Sequence, residues 1–350
     1  MEIGGKRISI ARGLELFLGI TVLSITLFFV FMGREMLRYF VSLRLSYALL
    51  GAVLAFLMWC SSAMKFHLLL RGVGERISFW KSFQAFMANL FMGAITPSQT
   101  GGGLAQIYLL NRAGVPVGKA FIACTTGAGF TILALFSSAV VILILNHSFI
   151  FQLGYLLRTS LIFAAILFLF FLSLYVLAIV RMKLFKRIFG HAFLFIGKAL
   201  RLKRRITYTK KMLKTLEMFS ESIRLYATTH ARLTLLALLF GYISLGIYCL
   251  MASVILSGLG LSHSVLNVVL IQILLSFIAY FSPSPGASGI AEGGSYLLMS
   301  GIVTNSAMRG AYTLLWRFFT NYIGVTVGGL LFMYALNSSK RRSQKDPKER

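Results

Sequence analysis

Glu292 is the one acid between Glu221 and Asp346, and it stands inside an apolar stretch of the chain. A charged side chain at membrane depth costs about 2.5–3.5 kcal/mol on insertion scales, so it needs a partner, a proton or a water-filled cavity. The chemistry open to Glu292 is to bind a cationic headgroup or to take up a proton. A local role is open as well. With Gly289 as N-cap, Glu292 falls at the third helical position, where its side chain can satisfy an orphan N–H. Arg317 follows in AYTLLWRFFTNYIGVTVGG, where its neighbours leave it few solvated options. Either it snorkels or it faces an interior partner. Its guanidinium suits a lipid phosphate, which it would hold bidentately, or a pairing with Glu292. A Glu292–Arg317 pair that only fixes helix packing is the competing reading.

Glu292 closes the segment 283–292, PSPGASGIAE, and a segment of the same pattern, PSQTGGGLAQ, occupies 97–106. The two align without a gap: Pro97 falls on Pro283 and Gln106 on Glu292, although the chain contains only five prolines. Pro285 adds a second proline to the later segment. Gly101, Gly102, Gly103, Gly286 and Gly289 permit positive φ and close backbone approach. Each precedes a half-helix whose positive end suits an anion such as phosphate. Gln106 stands to Gly103 as Glu292 does to Gly289, so both are expected to cap. The GK[ST] ending of a nucleotide P-loop is missing. Backbone leaves helical geometry at membrane depth only beside protein or water, so paired breaks in two halves of a chain point to a midplane binding site.

The elements that must hold these residues are helices in a membrane. Of the 350 residues, 58% are hydrophobic and 13% charged, and apolar runs near twenty residues recur. The expected fold is an all-α integral membrane protein with about six full spans, at 14–33, 46–70, 119–145, 159–181, 232–256 and 309–336. The run 14–33 is read as a retained first span, its core being too long for a signal peptide. Two broken re-entrant helical hairpins join the spans. One breaks at Pro97 and enters from the cytoplasm; the other breaks at Pro283 and enters from outside. Opposite entry makes an inverted pseudo-repeat, with six to eight spans if half-helices are counted. One membrane domain, 1–336, is expected, with halves of about 14–181 and 182–336. Its basic cytoplasmic loop is 182–231, and 337–350 forms a basic cytoplasmic tail. Within the loop, apolar residues at three- and four-residue spacings predict an amphipathic surface helix over 203–230.

Charge sets the orientation. Fourteen of the 35 Lys and Arg residues lie between Arg181 and Arg232, and six more lie from Lys340 to Arg350. The loops 146–158 and 258–264 hold one between them. This positive-inside bias places the chain in the cytoplasmic membrane as a multi-pass protein with both termini cytoplasmic. Arg34, Arg38 and Arg44 run against it, in a loop that this topology puts outside. A basic cytoplasmic face attracts anionic lipid headgroups. The net charge of +26 does not indicate nucleic acid, because the aromatic residues lie among aliphatics and not among the basic clusters. Cys60, Cys124 and Cys249 lie in apolar segments without CxxC spacing. The five His residues form no zinc or triad pattern. No catalytic constellation, metal or cofactor is expected.

TPSQTGGGLAQIYLL and SPSPGASGIAEGGSYLLMSG, followed by RFFTNYIG from Arg317, resemble the flippase-like membrane domain of the lysylphosphatidylglycerol synthase family, over roughly residues 10–336. The resemblance implies traffic of a phospholipid or lipid-linked substrate across the cytoplasmic membrane. Carried over by position, Pro283, Pro285, Gly286, Gly289 and Glu292 would shape one half of the site. Pro97, Gly101, Gly102 and Gln106 would shape the other, and Arg317 and Tyr322 would complete it. Ala287 and Ser288 depart from the glycines common there, and Gln106 replaces a residue that is often charged. The soluble aminoacyltransferase domain of bifunctional relatives does not follow, so no synthesis of the aminoacylated lipid is expected. The rival readings are a non-transporting scaffold for a separate lipid-modifying enzyme and an intramembrane transferase. The second of these has only one embedded carboxylate to serve as a base.

Overall fold

A computed structural model describes residues 34–145, 231–280 and 282–345, with isolated residues at 2–3, 6–7, 19, 22, 26, 166, 169, 173, 181, 184, 187 and 226. The spans expected at 14–33 and 159–181 and the loop 182–231, with its amphipathic segment 203–230, lie outside the described stretches. Apart from a two-residue pairing of Glu2–Ile3 with Lys6–Arg7, the regular structure described is helical.

The helices are α1 (Leu45–Gly72), α2 (Phe79–Ile95), α3 (Thr100–Arg112), α4 (Val117–Leu145), α5 (Ala231–Gly258), α6 (Val265–Tyr280), α7 (Ile290–Leu298), α8 (Ser306–Arg317) and α9 (Ile323–Lys345). Four described segments are long and apolar enough to cross a membrane: Leu45–Gly72, Val117–Val141, Ala231–Gly258 and Ser306–Asn337. These match four of the expected spans. The basic residues from Lys340 to Lys345 continue the helix of α9.

The helices beside the two breaks are shorter. At 17, 13, 16 and 9 residues, α2, α3, α6 and α7 would each fall short of a hydrocarbon core of about 30 Å. Proline explains where the first one stops. Thr96 precedes Pro97, which disfavours the helical region for the residue before it, and Thr96 is extended at φ −115, ψ 142. Ser284, before Pro285, is extended in the same way at φ −73, ψ 147. Each proline then opens a short 3₁₀ turn containing two left-handed residues. These are Ser98 and Gln99 (φ 50 and 56) in the first turn and Gly286 and Ala287 (φ 59 and 56) in the second.

The gapless alignment therefore fails at the turns. By backbone, Pro97 corresponds to Pro285 and not to Pro283. The left-handed pair follows the proline that starts the 3₁₀ turn, and Pro283 lies two residues upstream of it. After each turn the chain folds back. Asn89 Nδ2 on α2 donates to Gln106 Oε1 on α3 at 2.6 Å, and a Cβ added at Gly294 of α7 would lie 2.9 Å from Leu275 of α6. The two turns touch: Ser98 N donates to the carbonyl of Pro283 at 3.3 Å.

Two apolar cores flank this contact. One gathers α2, α3 and the end of α1 around Leu69, Ile95 and Leu110. The other gathers α5, α6, α7 and α8 around Met251, Leu275 and Trp316. Small residues let the helices come close enough to build them, as membrane packing requires. On α9, a Cβ at Gly328 would lie 2.5 Å from the carbonyl oxygen of Met87 on α2. That oxygen belongs to backbone and cannot swing aside. Gly328→Ala is therefore expected to destabilise the detergent-solubilised protein by about 1–3 kcal/mol. Gly246→Ala, where an added Cβ meets nothing within 4 Å, should leave the thermal unfolding midpoint unchanged.

Candidate functional site: a buried charge cluster at the second break

Glu292 lies in the first turn of α7 and is 1% exposed. One carboxylate oxygen, Oε2, accepts from the N–H of Gly289 at 2.7 Å. This caps the helix as expected, and Gly289 supplies the positive φ of 82° at the turn into it. The other oxygen, Oε1, accepts from Arg317 Nε at 2.8 Å and from the hydroxyl of Tyr322 at 2.9 Å. Arg317 is 4% exposed, and its second terminal nitrogen donates to the carbonyl of Gly286 at 2.9 Å. The guanidinium thus holds the left-handed turn and the helix after it together. Capping and ion pairing coexist because they use different oxygens.

Arg317 and Tyr322 reach one oxygen because the helix between them is not an α-helix. Residues five apart on an α-helix point about 140° away from each other. Between α8 and α9 the chain instead forms a single π-helical turn, Phe318–Tyr322, in which the N–H of Ile323 bonds the carbonyl of Phe318. Widening the turn to i→i+5 carries residue 322 back toward the side of the helix that holds residue 317. Thr320 lies within the π turn and donates its hydroxyl to the carbonyl of Trp316 at 2.6 Å. Around the cluster, Gln272 Nε2 donates to the Tyr312 hydroxyl, and Thr313 donates to Ser295. These bonds tie α6 and α7 to α8.

The first break is built differently, and here an expectation is corrected. Gln106 does not cap Gly103, because α3 begins at Thr100, six residues before it. Gln106 is fully buried against Asn89 instead. The cap across this break is Thr96, whose hydroxyl accepts from the N–H of Gly101 at 2.9 Å and donates to the carbonyl of Met92. Gly101 and Gly102 are needed for close approach and not for positive φ. A Cβ on the first would lie 2.6 Å from Thr96, and on the second 2.5 Å from Asn89 Oδ1. A Cβ on Gly103 would meet nothing.

The structure thus joins Gly286, Gly289, Glu292, Arg317 and Tyr322 in one bonded cluster. It brings Pro97 and Pro283 together at the turn contact, with Pro285 opening the second turn. Gly101, Gly102 and Gln106 belong to the α2–α3 interface. Asn89 and Thr96 were missed by sequence reasoning, although Asn89 is a polar residue in an apolar helix and Thr96 stands directly before Pro97.

The family comparison decides what this arrangement belongs to. The chain matches the family described as the lysylphosphatidylglycerol synthase TM region over residues 16–328. It belongs to that family. A UPF0104 membrane protein of Archaeoglobus fulgidus is similar to it, 27% identical over 300 residues that cover 82% of this chain and 87% of that protein. In this member of the lysylphosphatidylglycerol synthase TM-region family, the matched region contains both breaks, Glu292, Arg317 and Tyr322.

Removing one member of a buried ion pair strands the other charge, at a cost of about 3–5 kcal/mol. Glu292→Gln and Arg317→Met are each expected to lower stability on that scale. The double variant should lose clearly less than the sum, measured as a double-mutant cycle from unfolding in detergent. Tyr322→Phe removes one bond to a charged acceptor and should cost about 1.5–3 kcal/mol in the same assay.

Proposed function

We propose that this membrane protein translocates a phospholipid or lipid-linked substrate across the cytoplasmic membrane. The paired hairpins act as an inverted re-entrant repeat, and the headgroup passes where their turns meet while the acyl chains stay in lipid. The observation that carries the reading is the Glu292–Arg317–Tyr322 cluster, bonded to the second turn at Gly286, three residues from the Pro283 carbonyl that the first turn reaches. A carboxylate and a guanidinium are costly at this depth and mark pathways in membrane proteins. Two guanidinium N–H donors serve Glu292 and Gly286, and a guanidinium is a side chain whose fork of donors matches a phosphate. Membership of the family supports a lipid-related role. No catalytic step is assigned.

One observation favours a second reading. Both oxygens of Glu292 are already engaged by the protein's own groups, as in a latch that only fixes packing. On that reading the chain is a non-transporting scaffold for a lipid-modifying enzyme. Liposome reconstitution separates the two. With fluorescent phospholipids of several headgroups, the wild type should move at least one faster than protein-free vesicles, and Glu292→Gln should lower that rate at least tenfold, a loss equivalent to about 1.4 kcal/mol. Wild-type vesicles no faster than empty ones for every headgroup would remove translocation and leave the scaffold.

A further inference from the structure

The interface between α7 and α8 carries a polar contact at each turn of α8. Arg309, Thr313 and Arg317 stand four residues apart and so share one face of the helix. Each bonds α7. Arg317 reaches Glu292 as described, the Thr313 hydroxyl donates to Ser295 at 3.3 Å, and Arg309 Nη2 donates to the Tyr296 hydroxyl at 3.2 Å. A different face of α8 is apolar, with Ala307, Ala311 and Leu314 packed on Met36 of the helical stretch 34–41. Arg317 has a carboxylate, and Thr313 pairs with another neutral hydroxyl. Arg309 has no such match. Its other terminal nitrogen, Nη1, donates to the Val303 carbonyl at 3.3 Å, and its guanidinium carbon lies 4.3 Å from the centroid of the Tyr296 ring. These are neutral groups. Among the described residues the acids in ion pairs are Glu75 and Glu292, held by Lys119 and Arg317, and no carboxylate meets Arg309.

Contacts with neighbouring helices fix the depth of Arg309. Trp316 of α8 and Tyr248 of α5 meet edge to face, and each is ten residues from its own helix end, at Ser306 and Gly258. Those two ends are therefore level. The start of α1 is level with them, because the Arg44 N–H donates to the Gly258 carbonyl at 3.3 Å. With 28 residues each, α1 and α5 are about 42 Å long and overrun a hydrocarbon core of about 30 Å by about 6 Å at each end. Arg309 is three residues in from Ser306, about 4.5 Å along the axis, which puts it at the boundary of the core. Its side chain points outward from there, since Val303 belongs to the connection that precedes α8. Arg317 lies about 12 Å deeper. This is the end of the bundle away from Arg71 and Arg112.

A cation at the edge of the hydrocarbon, bonded only to neutral groups, calls for an anion at the same level. Phospholipid phosphates lie there. Arg309 and Tyr296 are both partly exposed, and Leu297, next to Tyr296, is 70% exposed, so the guanidinium stands beside a surface that faces lipid. The planar fork of a guanidinium matches a phosphate, and this one is already held between a ring and a carbonyl, which lowers the ordering cost of binding. We infer that Arg309, positioned by Tyr296 and the Val303 carbonyl, binds the phosphate of an anionic phospholipid at the open end of the α7–α8 interface. That this interface then leads the headgroup toward Glu292 rests on the translocation reading; the binding itself does not.

The test reads this site apart from the basic regions elsewhere in the chain. A fluorophore is attached through Leu297→Cys in the full chain, with Cys60, Cys124 and Cys249 replaced by alanine. The protein in detergent is then titrated with phosphatidylglycerol carrying a quenching spin label near its carbonyl end, and with diacylglycerol labelled in the same way. Quenching by phosphatidylglycerol should saturate, with binding about tenfold tighter than that of diacylglycerol, equivalent to about 1.4 kcal/mol. Arg309→Gln should remove that tenfold preference. Arg38→Gln, which removes an exposed charge of the stretch 34–41, should leave it unchanged. Tyr296→Phe should weaken phosphatidylglycerol binding about threefold and provides the reading if Arg309→Gln does not fold. Equal binding of the two lipids by the otherwise native chain would overturn the site, as would an undiminished preference in Arg309→Gln, or in Tyr296→Phe when that variant alone folds. An equal loss in Arg38→Gln would mean general attraction to a basic surface and would overturn it too. Displacement of the lipid by millimolar inorganic phosphate would reassign the site to the free anion and overturn the lipid assignment. Binding at Arg309 in a protein that moves no lipid in reconstituted vesicles keeps the site and removes only its place on a route.

Discussion

A carboxylate inside a membrane bundle has no solvent to fall back on, and the way Glu292 is satisfied organises everything near it. Three donors converge on its two oxygens: the Gly289 N–H, the Arg317 guanidinium and the Tyr322 hydroxyl. Each comes from a different kind of irregularity. Gly289 is a positive-φ residue, Tyr322 ends a π turn, and Arg317 also bonds Gly286 in a left-handed turn. The irregular backbone at the second break is held in place by the charge pair, and the pair is tolerated at this depth because the irregular backbone delivers its partners. Charge-assisted bonds are the strong ones, so the unit is best regarded as a single structural element and not as three contacts.

The two breaks reach a similar shape by unlike means. Both use a proline followed by two left-handed residues, and the two turns meet through Ser98 and Pro283. Behind the turns the support differs. The first relies on neutral groups, Thr96 and the Asn89–Gln106 pair, with glycines that let α2 and α3 approach closely. The second relies on charge. Such a division supports one side of the contact with neutral groups and the other with an ion pair.

Much of this was legible in the sequence. Apolar runs located four of the described membrane helices to within a few residues, because burial in lipid leaves a simple length and composition signal. The breaks were legible because Pro and Gly are scarce and act locally, and Glu292 and Arg317 because charge is conspicuous among aliphatics. The exact correspondence of the breaks was not legible. Matching letters placed Pro97 on Pro283, whereas the backbone follows whichever proline opens the turn. Gln106 was misread for a related reason: the helix start moved to Thr100, and a cap depends on where the helix begins. The roles of Asn89 and Thr96 come from how the chain folds back across the first break, and no periodic pattern announces those. The π turn leaves no such pattern in FFTNY either.

Glu292, through the groups it bonds, holds the second turn against the first. Cysteines placed at Ser98 and Ser284, in a chain whose Cys60, Cys124 and Cys249 are replaced by alanine, can be cross-linked in membranes with a short bifunctional thiol reagent. Cross-linking should be efficient in the otherwise native chain and markedly reduced when Glu292→Gln is added. No cross-linking in the native background, or the same yield with and without the Glu292 carboxylate, would contradict it.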